Sequence, residues 1–248
     1  MRKKAIVEDI SIQHADARIP AKIYQERRSN VRYSMGKRGA ILRLPVHLSS
    51  SEKIRYTEQF IQWVQKQLDK RADLAQQYQP KSYQTGDTLQ VGQRIYELSV
   101  TQGDRKTHSA KVKGVVIELK LSEHQQGLAL TKSVKSLLSR VIGQDFFPEI
   151  SERVHALNRA YFQSDIKQIR LKYNRSNWGS CSSSGNINLS TRLLFAPQPV
   201  IDYVIIHELA HTKEMNHSKR FWSLVEGVMP SYKEKEKWLK QNSHLCDF

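Results

Sequence analysis

The stretch His207-Glu208-Leu209-Ala210-His211, with His217 shortly after it, decides how the C-terminal half of this chain folds. Residues four apart lie on one face of a helix, so the pattern predicts a helix that presents His207 and His211 to one metal ion. Glu208 lies beside the first ligand, where a general base can hold a water molecule. His217 offers a third ligand once the chain turns back. Three protein ligands leave one tetrahedral position open, which is typical of a catalytic zinc site.

The residues around this motif favour a buried helix. An apolar run precedes and enters the motif: Val200, Tyr203, Val204, Ile206 and Leu209. Pro197 and Pro199 lie just upstream, and we expect Asp202 in the first turn, where a negative charge suits the helix dipole. The alternative is a chance match on an ordinary helix, but such a helix does not need so apolar a flank. We therefore predict one Zn²⁺ per chain.

Several other residues are candidates for supporting roles. Glu214 falls on the face of His207 and His211 if the helix continues, so its carboxylate either orients a ligand ring or is simply solvated. Asn216 is the expected turn residue, because Asn tolerates left-handed geometry. Arg175, Asn177 and Tyr232 are candidates to stabilise an oxyanion.

The composition indicates a basic protein. The 248 residues include 40 Lys and Arg against 24 Asp and Glu, a formal net charge of +16. Six basic residues and no acidic one lie between Arg27 and Arg43. Such a patch either attracts an anionic ligand, such as a nucleotide or nucleic acid, or is a solvated face.

Hydropathy and cysteine content predict where in the cell the protein is found. No apolar run is long enough to span a bilayer, and the start of the chain lacks the apolar region of a signal peptide. The two cysteines, Cys181 and Cys246, fit a reducing environment, and Cys181 is more typical of a small buried thiol than of a nucleophile or metal ligand. We expect a cytoplasmic protein that does not associate with membranes.

Periodicity along the chain predicts an α+β fold in two portions. Residues 1–124 form a β-rich basic portion with one helix, which begins at the capping residues Ser49 to Glu52 and runs to about Ala75. Residues 125–248 form the metal-dependent hydrolase domain. It begins with a helical stretch over 128–162 that is interrupted near Phe147-Pro148, followed by short strands and the metal helix. A polar stretch from Gln77 to Gly86 is a plausible internal boundary, and no internal repeat is evident.

The motifs, taken in order, resemble those of a known family. They are Asn177-Trp178-Gly179-Ser180-Cys181-Ser182, Pro199 to Val204, His207 to His211, Asn216-His217-Ser218 with Phe221-Trp222, and Pro230 to Tyr232 with Lys237-Trp238-Leu239. The chain resembles the YgjP-like metallopeptidases, relatives of the SprT-like minimal zincins, from about residue 20 to 245.

This resemblance implies a zincin-like core, in which an antiparallel sheet packs on the metal helix. It implies His207, His211 and His217 as zinc ligands and Glu208 as the base. It also makes Asn186 to Leu189 a candidate edge strand for pairing with an extended peptide. The substrate is then a protein or peptide.

The motif does not identify the bond that is cleaved, and three hypotheses remain. The first hypothesis is a peptidase in which Glu208 activates a zinc-bound water. The second is a nucleotide pyrophosphohydrolase, which converts a nucleoside triphosphate to the monophosphate and diphosphate, although no phosphate-cradling glycine loop is present. The third is a protease that its basic N-terminal portion recruits to nucleic acid, by analogy with SprT-like proteins.

Overall fold

A computed structural model describes residues 6–15, 17–36, 39–71 and 78–248. The fold is α+β, and the chain divides into two compact units, residues 1–81 and 82–248. The predicted division at 124/125 lies inside the second unit, whereas the stretch from Gln77 to Gly86, also predicted as an internal boundary, contains the division after residue 81. The difference has a physical reason: apolar side chains from strands before residue 124 and from helices after it share one core.

The first unit is a four-stranded sheet followed by one helix. Its elements are β1 (Ile6–His14), β2 (Ala17–Glu26), β3 (Arg32–Gly36), β4 (Gly39–Pro45) and α1 (Ser50–Lys70). The strand order is β1-β2-β4-β3, with a parallel central pair and antiparallel outer pairs. The alternating buried and exposed residues of β2 are typical of a strand with one face on a core.

Helix α1 begins as the sequence predicted. The Ser49 hydroxyl accepts from the Glu52 amide, while the Glu52 carboxylate accepts from the Ser49 amide. Its buried face consists of Phe60, Val64 and Leu68. The helix ends at Lys70; Ala75, its predicted end, and Gln77, the start of the predicted boundary, lie outside the described residues.

The second unit opens with another four-stranded sheet and helix. These are β5 (Thr88–Val91), β6 (Arg94–Gly103), β7 (Ser109–Lys113), β8 (Val116–Ser122) and α2 (Gly127–Leu157). The strand order is β5-β6-β8-β7, again with a parallel central pair and antiparallel outer pairs.

The two sheet-and-helix modules repeat each other at a constant offset of 77 residues. Ala17 corresponds to Arg94 at the start of β2 and β6, and Ser50 corresponds to Gly127 at the start of α1 and α2. The pairing registers also match: β2 and β4 join Ala21 to Ala40, while β6 and β8 join Leu98 to Ile117. The expectation that the chain has no internal repeat is therefore wrong at the level of structure.

Helix α2 continues through Pro148, so the predicted interruption is absent. Phe146 and Ile150 are buried on either side of the proline, and their packing offsets the lost hydrogen bond. A π-helical turn, Asn158–Phe162, follows and ends at Gln163, which adopts the left-handed conformation.

A three-stranded sheet and three helices complete the second unit. They are β9 (Gln168–Lys172), β10 (Gly179–Cys181), β11 (Asn186–Ser190), α3 (Gln198–Ala210), α4 (Lys219–Val228) and α5 (Tyr232–Asn242). A 3₁₀ turn, Thr191–Phe195, joins β11 to the segment before α3. Among the described residues, no helix has the length and apolarity needed to cross a membrane.

The order of the small sheet, β10-β11-β9, corrects two expectations. The sheet is mixed rather than antiparallel, because β11 pairs parallel with β9 and antiparallel with β10. Asn186 to Leu189 belong to the central strand and are not an edge. Strand β10 is an edge strand instead: within the described chain it pairs with β11 alone, and it contacts α3.

Candidate metal centre

Helix α3 carries the first two histidines through the core of the second unit. Val200 to Ile206 are all buried, so the helix is apolar on every side, as the sequence indicated. The sequence predicted Asp202 in the first turn, but it lies beyond that turn. Its carboxylate accepts hydrogen bonds of 2.8 and 2.6 Å from the Arg153 guanidinium of α2. This ion pair fixes the helix that positions the site.

The three histidines converge at the end of α3. Ligand-type nitrogens of His207, His211 and His217 all lie within 4.8 Å of one another, and the two Nε2 atoms of His207 and His217 are 3.0 Å apart. Two nitrogens bound to one tetrahedral zinc ion at about 2.0–2.1 Å are roughly 3.3 Å apart. The donor set and its spacing therefore fit a zinc ion.

Main-chain geometry orients the second histidine. His211 Nδ1 lies 3.1 Å from the backbone oxygen of Glu214, which fixes the ring and leaves Nε2 for a metal. Helix α3 ends at Ala210, so Glu214 does not continue its face, and the backbone carbonyl rather than the predicted carboxylate contacts the ring. Asn216 accepts a hydrogen bond from the Ser218 amide but has no left-handed backbone, contrary to expectation.

Helix α4 brings the third histidine back to the cluster. His217 directly precedes Ser218, whose hydroxyl caps the helix by accepting from the Phe221 amide. Phe221 is fully buried, and its ring centroid lies 4.9, 4.5 and 4.7 Å from those of His207, His211 and His217. One phenylalanine ring thus packs against all three imidazoles and sets their spacing.

A stack of aromatic rings extends from this cluster. Trp222 lies 5.8 Å from His207 and stacks on Tyr232 at 5.2 Å. Phe221 and Trp222 both contact the histidines. Trp178 instead packs under the Arg192 guanidinium, and Trp238 lines a cavity near Pro197.

Burial favours the neutral form of two of the three histidines, His207 and His211. Desolvation lowers the pKa of His207 to about 4, with smaller contributions from His211 and His217. Desolvation also lowers the pKa of His211. Neutral imidazoles offer the lone pairs that a metal ion requires, so no proton has to leave these two rings at neutral pH.

Glu208 lies beside the cluster in a dry environment. Only 5% of its surface is exposed, and burial raises the pKa of its carboxyl group to about 8. A Cβ atom on Gly179 of β10 would lie 2.5 Å from Glu208 Oε1, so any larger residue at this position would force the Glu208 carboxylate to move. Sequence reasoning missed Gly179; the available signal was a glycine in a strand, which marks a close approach.

The remaining candidates lie around β10. Burial raises the pKa of the Cys181 thiol to about 11, which keeps it protonated, as expected of a structural thiol. The Asn177 amide donates to the Gly179 carbonyl at 3.2 Å, and exposed Arg175 accepts from Arg192 through its backbone oxygen. The oxyanion roles of Arg175, Asn177 and Tyr232 stay predictions.

Three histidines beside a buried carboxylate are the equipment of a metal-dependent hydrolase, and the comparison with protein families agrees. The family described as "YgjP-like, metallopeptidase domain" matches residues 29–242. The chain therefore belongs to the YgjP-like family.

Individual relatives share smaller parts. The "UTP pyrophosphatase" of Escherichia coli (strain K12) is 29% identical over 90 residues, which are 35% of this chain and 54% of that protein, so the match spans about half of its length. The solved metallopeptidase zymogens abylysin of Pyrococcus abyssi and jannalysin of Methanocaldococcus jannaschii are 24% and 19% identical. Each match covers 37% of this chain. It covers 93% of the abylysin chain with a TM-score of 0.35, and 94% of the jannalysin chain with a TM-score of 0.33.

Proposed function

We propose that this chain is a zinc-dependent peptidase in which His207, His211 and His217 hold the metal and Glu208 is the general base. The observation that carries the proposal is the free side of β10, which runs beside Glu208 at Gly179. An extended peptide that adds to this strand brings its backbone next to the base. The packing of β10 and β11 against α3 supports a zincin-like core.

The residues divide the chemistry between them. When bound, zinc polarises a carbonyl group and lowers the pKa of water. Glu208 accepts a proton from the attacking water and donates it to the leaving amine. A buried carboxyl suits both transfers, because desolvation raises its affinity for the proton that it takes from water and passes to the amine. Gly179 keeps the space that the carboxylate occupies.

The first test compares zinc-loaded wild type with Glu208→Gln on unfolded proteins and peptides. We expect peptide products to fall at least about 10²-fold in the variant, because the base is lost, while zinc content stays the same. His217→Ala serves as the metal-binding variant and is expected to lose zinc. Full hydrolysis by zinc-loaded Glu208→Gln would refute the mechanism.

A second pair of variants tests the contact between β10 and Glu208. Gly179→Ala places a methyl group against the carboxylate, so we expect kcat to fall about 10²-fold without loss of zinc. Gly227→Ala in α4 is the matched control, since no atom lies within 4 Å of its added Cβ. Equal kcat for the two variants would show that the base does not depend on this strand.

A second candidate function is hydrolysis of nucleoside triphosphates to the monophosphate and pyrophosphate. The name of the Escherichia coli relative and the net charge of +16 favour it. The test adds UTP to the same panel and measures pyrophosphate release. Release that requires Glu208 would make this the reaction; its absence, with peptide products present, would leave the peptidase.

A further inference from the structure

A polar cavity of about 440 Å³ opens beside the metal ligand candidate His211. Residues from three segments line it: 163–167 after the π-helical turn, 182–185 between β10 and β11, and 211–215 after α3. His211 belongs to its wall, so the cavity adjoins the three-histidine cluster.

Hydrogen bonds fix the first wall of the cavity to the metal cluster. The Asn158 side chain accepts from the Ser164 amide at 3.0 Å and donates to the Ser164 carbonyl at 2.9 Å. The hydroxyls of Ser164 and Thr212 are 2.7 Å apart. Thr212 follows His211 directly, so this wall and the ligand turn form one connected structure.

The serine-rich wall is fixed in the same way. The Asn186 amide donates to the hydroxyls of Ser182 at 3.2 Å and Ser184 at 2.8 Å. Gly185 has a φ of +80°, and a Cβ there would lie 2.6 Å from the Asp165 carbonyl oxygen, so the loop tolerates glycine alone. The cavity is therefore formed before any ligand binds.

The charges of the cavity favour an anion. Lys167 and Lys213 line it with one acidic residue, Asp165, and neither lysine forms an ion pair within the described part of the chain. The larger cavity near Pro197, about 1140 Å³, differs because its arginines are paired: Arg94 with Asp145 and Arg153 with Asp202. Two unpaired cations beside hydroxyl donors suit an anionic oxygen group.

We infer that this cavity is a substrate subsite for an anionic oxygen group, a phosphoryl or a carboxylate, and that Lys167 and Lys213 determine specificity for it. The inference rests on the proposed function, since it assumes that the bond is cut at the three-histidine cluster. A nucleotide supplies the phosphoryl group, and an acidic side chain or peptide terminus supplies the carboxylate. The lysines act as point charges that attract either one.

The experiment compares Lys167→Met/Lys213→Met with Lys167→Arg/Lys213→Arg, and uses Lys132→Met, an exposed lysine of α2 away from the cavity, as the control. Substrates are UTP, a peptide with an acidic residue and the same peptide with its neutral amide. We expect the methionine pair to lower kcat/KM at least about tenfold for the anionic substrate that the enzyme uses. We expect kcat/KM to change less than about twofold in three cases. These are the methionine pair acting on the neutral peptide, which carries no charge for the lysines to attract, the arginine pair, which keeps both positive charges, and the control, whose lysine lies away from the cavity.

Binding supplies a readout that does not need turnover. Inorganic phosphate is titrated into zinc-loaded Glu208→Gln, with and without the methionine pair. We expect a weaker Kd, by about tenfold, and a shallower salt dependence in the methionine pair. Equal phosphate binding, or unchanged kcat/KM for both anionic substrates during Glu208-dependent turnover, overturns the subsite.

The outcomes separate the two proposals and the two ligand sources. A loss confined to UTP assigns the phosphoryl group, and a loss confined to the acidic peptide assigns the carboxylate. If no substrate is hydrolysed in a Glu208-dependent way, the proposed function fails, while the phosphate titration still decides whether Lys167 and Lys213 form an anion site.

Discussion

Residues 11–70 and 88–147 form two modules with one topology and one register, and they differ in what their helices pack against. In the first module, α1 buries one face against its own sheet. In the second, α2 is buried on several sides, and its core continues into β9, β11 and α3. The first copy of the module thus forms a unit of its own, whereas the second copy supports the candidate metal centre.

Two equivalent positions explain the difference. Gln62 and Lys66 of α1 are exposed, whereas their counterparts in α2, Ser139 and Gly143, are buried. A Cβ at Gly143 would lie 2.9 Å from Thr191 Cγ2, so a small residue is needed for α2 to approach the rest of the unit. A helix gains a second packing face when small residues replace long polar ones there.

Exchanging these residues is the strongest test of that explanation. Gly143→Lys puts a long charged side chain into the core, and we expect a loss of more than about 3 kcal/mol with loss of the metal site. The reciprocal Lys66→Gly should cost about 1 kcal/mol, the helix propensity of an exposed glycine. Chemical unfolding and zinc content check both; a folded, zinc-binding Gly143→Lys protein would contradict the two-face explanation.

Matched core truncations test whether zinc stabilises one module alone. Leu42 and Leu119 are equivalent and fully buried, so each change to Ala should cost its own unit about 2–5 kcal/mol and identify that unit's unfolding transition. Zinc should then raise the unfolding temperature of the second unit and leave that of the first unchanged. Calorimetry with zinc and with a chelator measures this. Equal zinc shifts for both units would show that the first also depends on the metal.

A half-buried acid, Asp247, should give the second unit its own pH dependence. Burial alone would raise the pKa of Asp247, but Lys135 at 2.8 Å and the Tyr173 hydroxyl at 2.7 Å hold it below its usual range. A carboxyl with a depressed pKa contributes stability above its unfolded pKa, about 3.9, and loses it as the pH falls through the lower folded value.

Asp247→Asn should therefore cost about 1–3 kcal/mol at neutral pH and flatten the loss of stability below about pH 4. Unfolding temperatures of the two units between pH 3 and 7 check the prediction. A variant whose second unit is destabilised by acid as strongly as wild type would show that Asp247 is not the group responsible.

The smallest expected effect concerns a shared turn. Ala15 and Gly92 are equivalent, and both are left-handed, with φ of 47° and +58°. Ala15→Gly should stabilise the first unit by up to about 1 kcal/mol, and Gly92→Ala should destabilise the second by about 1–2 kcal/mol, since alanine is strained in this conformation. Urea unfolding of each variant measures the difference; two changes of the same sign would mean that the turns are not equivalent.

The sequence determined the local features of this protein. The capping box of α1 was predicted correctly, because hydrogen bonds within one turn depend on residues three apart. The helix that carries His207 and His211 was predicted for the same reason: helical periodicity is a local property. The metal ligands were predicted from that spacing, and the structure brings their side chains together, while their role as ligands stays a prediction.

The tertiary structure alone decided what depends on residues far apart in the chain. Strand pairing placed β10 rather than β11 beside Glu208, and the end of α3 gave the His211 contact to the Glu214 carbonyl. The repeat of the two modules is carried by strand register and buried positions, which many side chains satisfy, so sequence inspection missed it. Local patterns specify helices and caps, whereas long-range packing selects the partners of strands and the walls of a site.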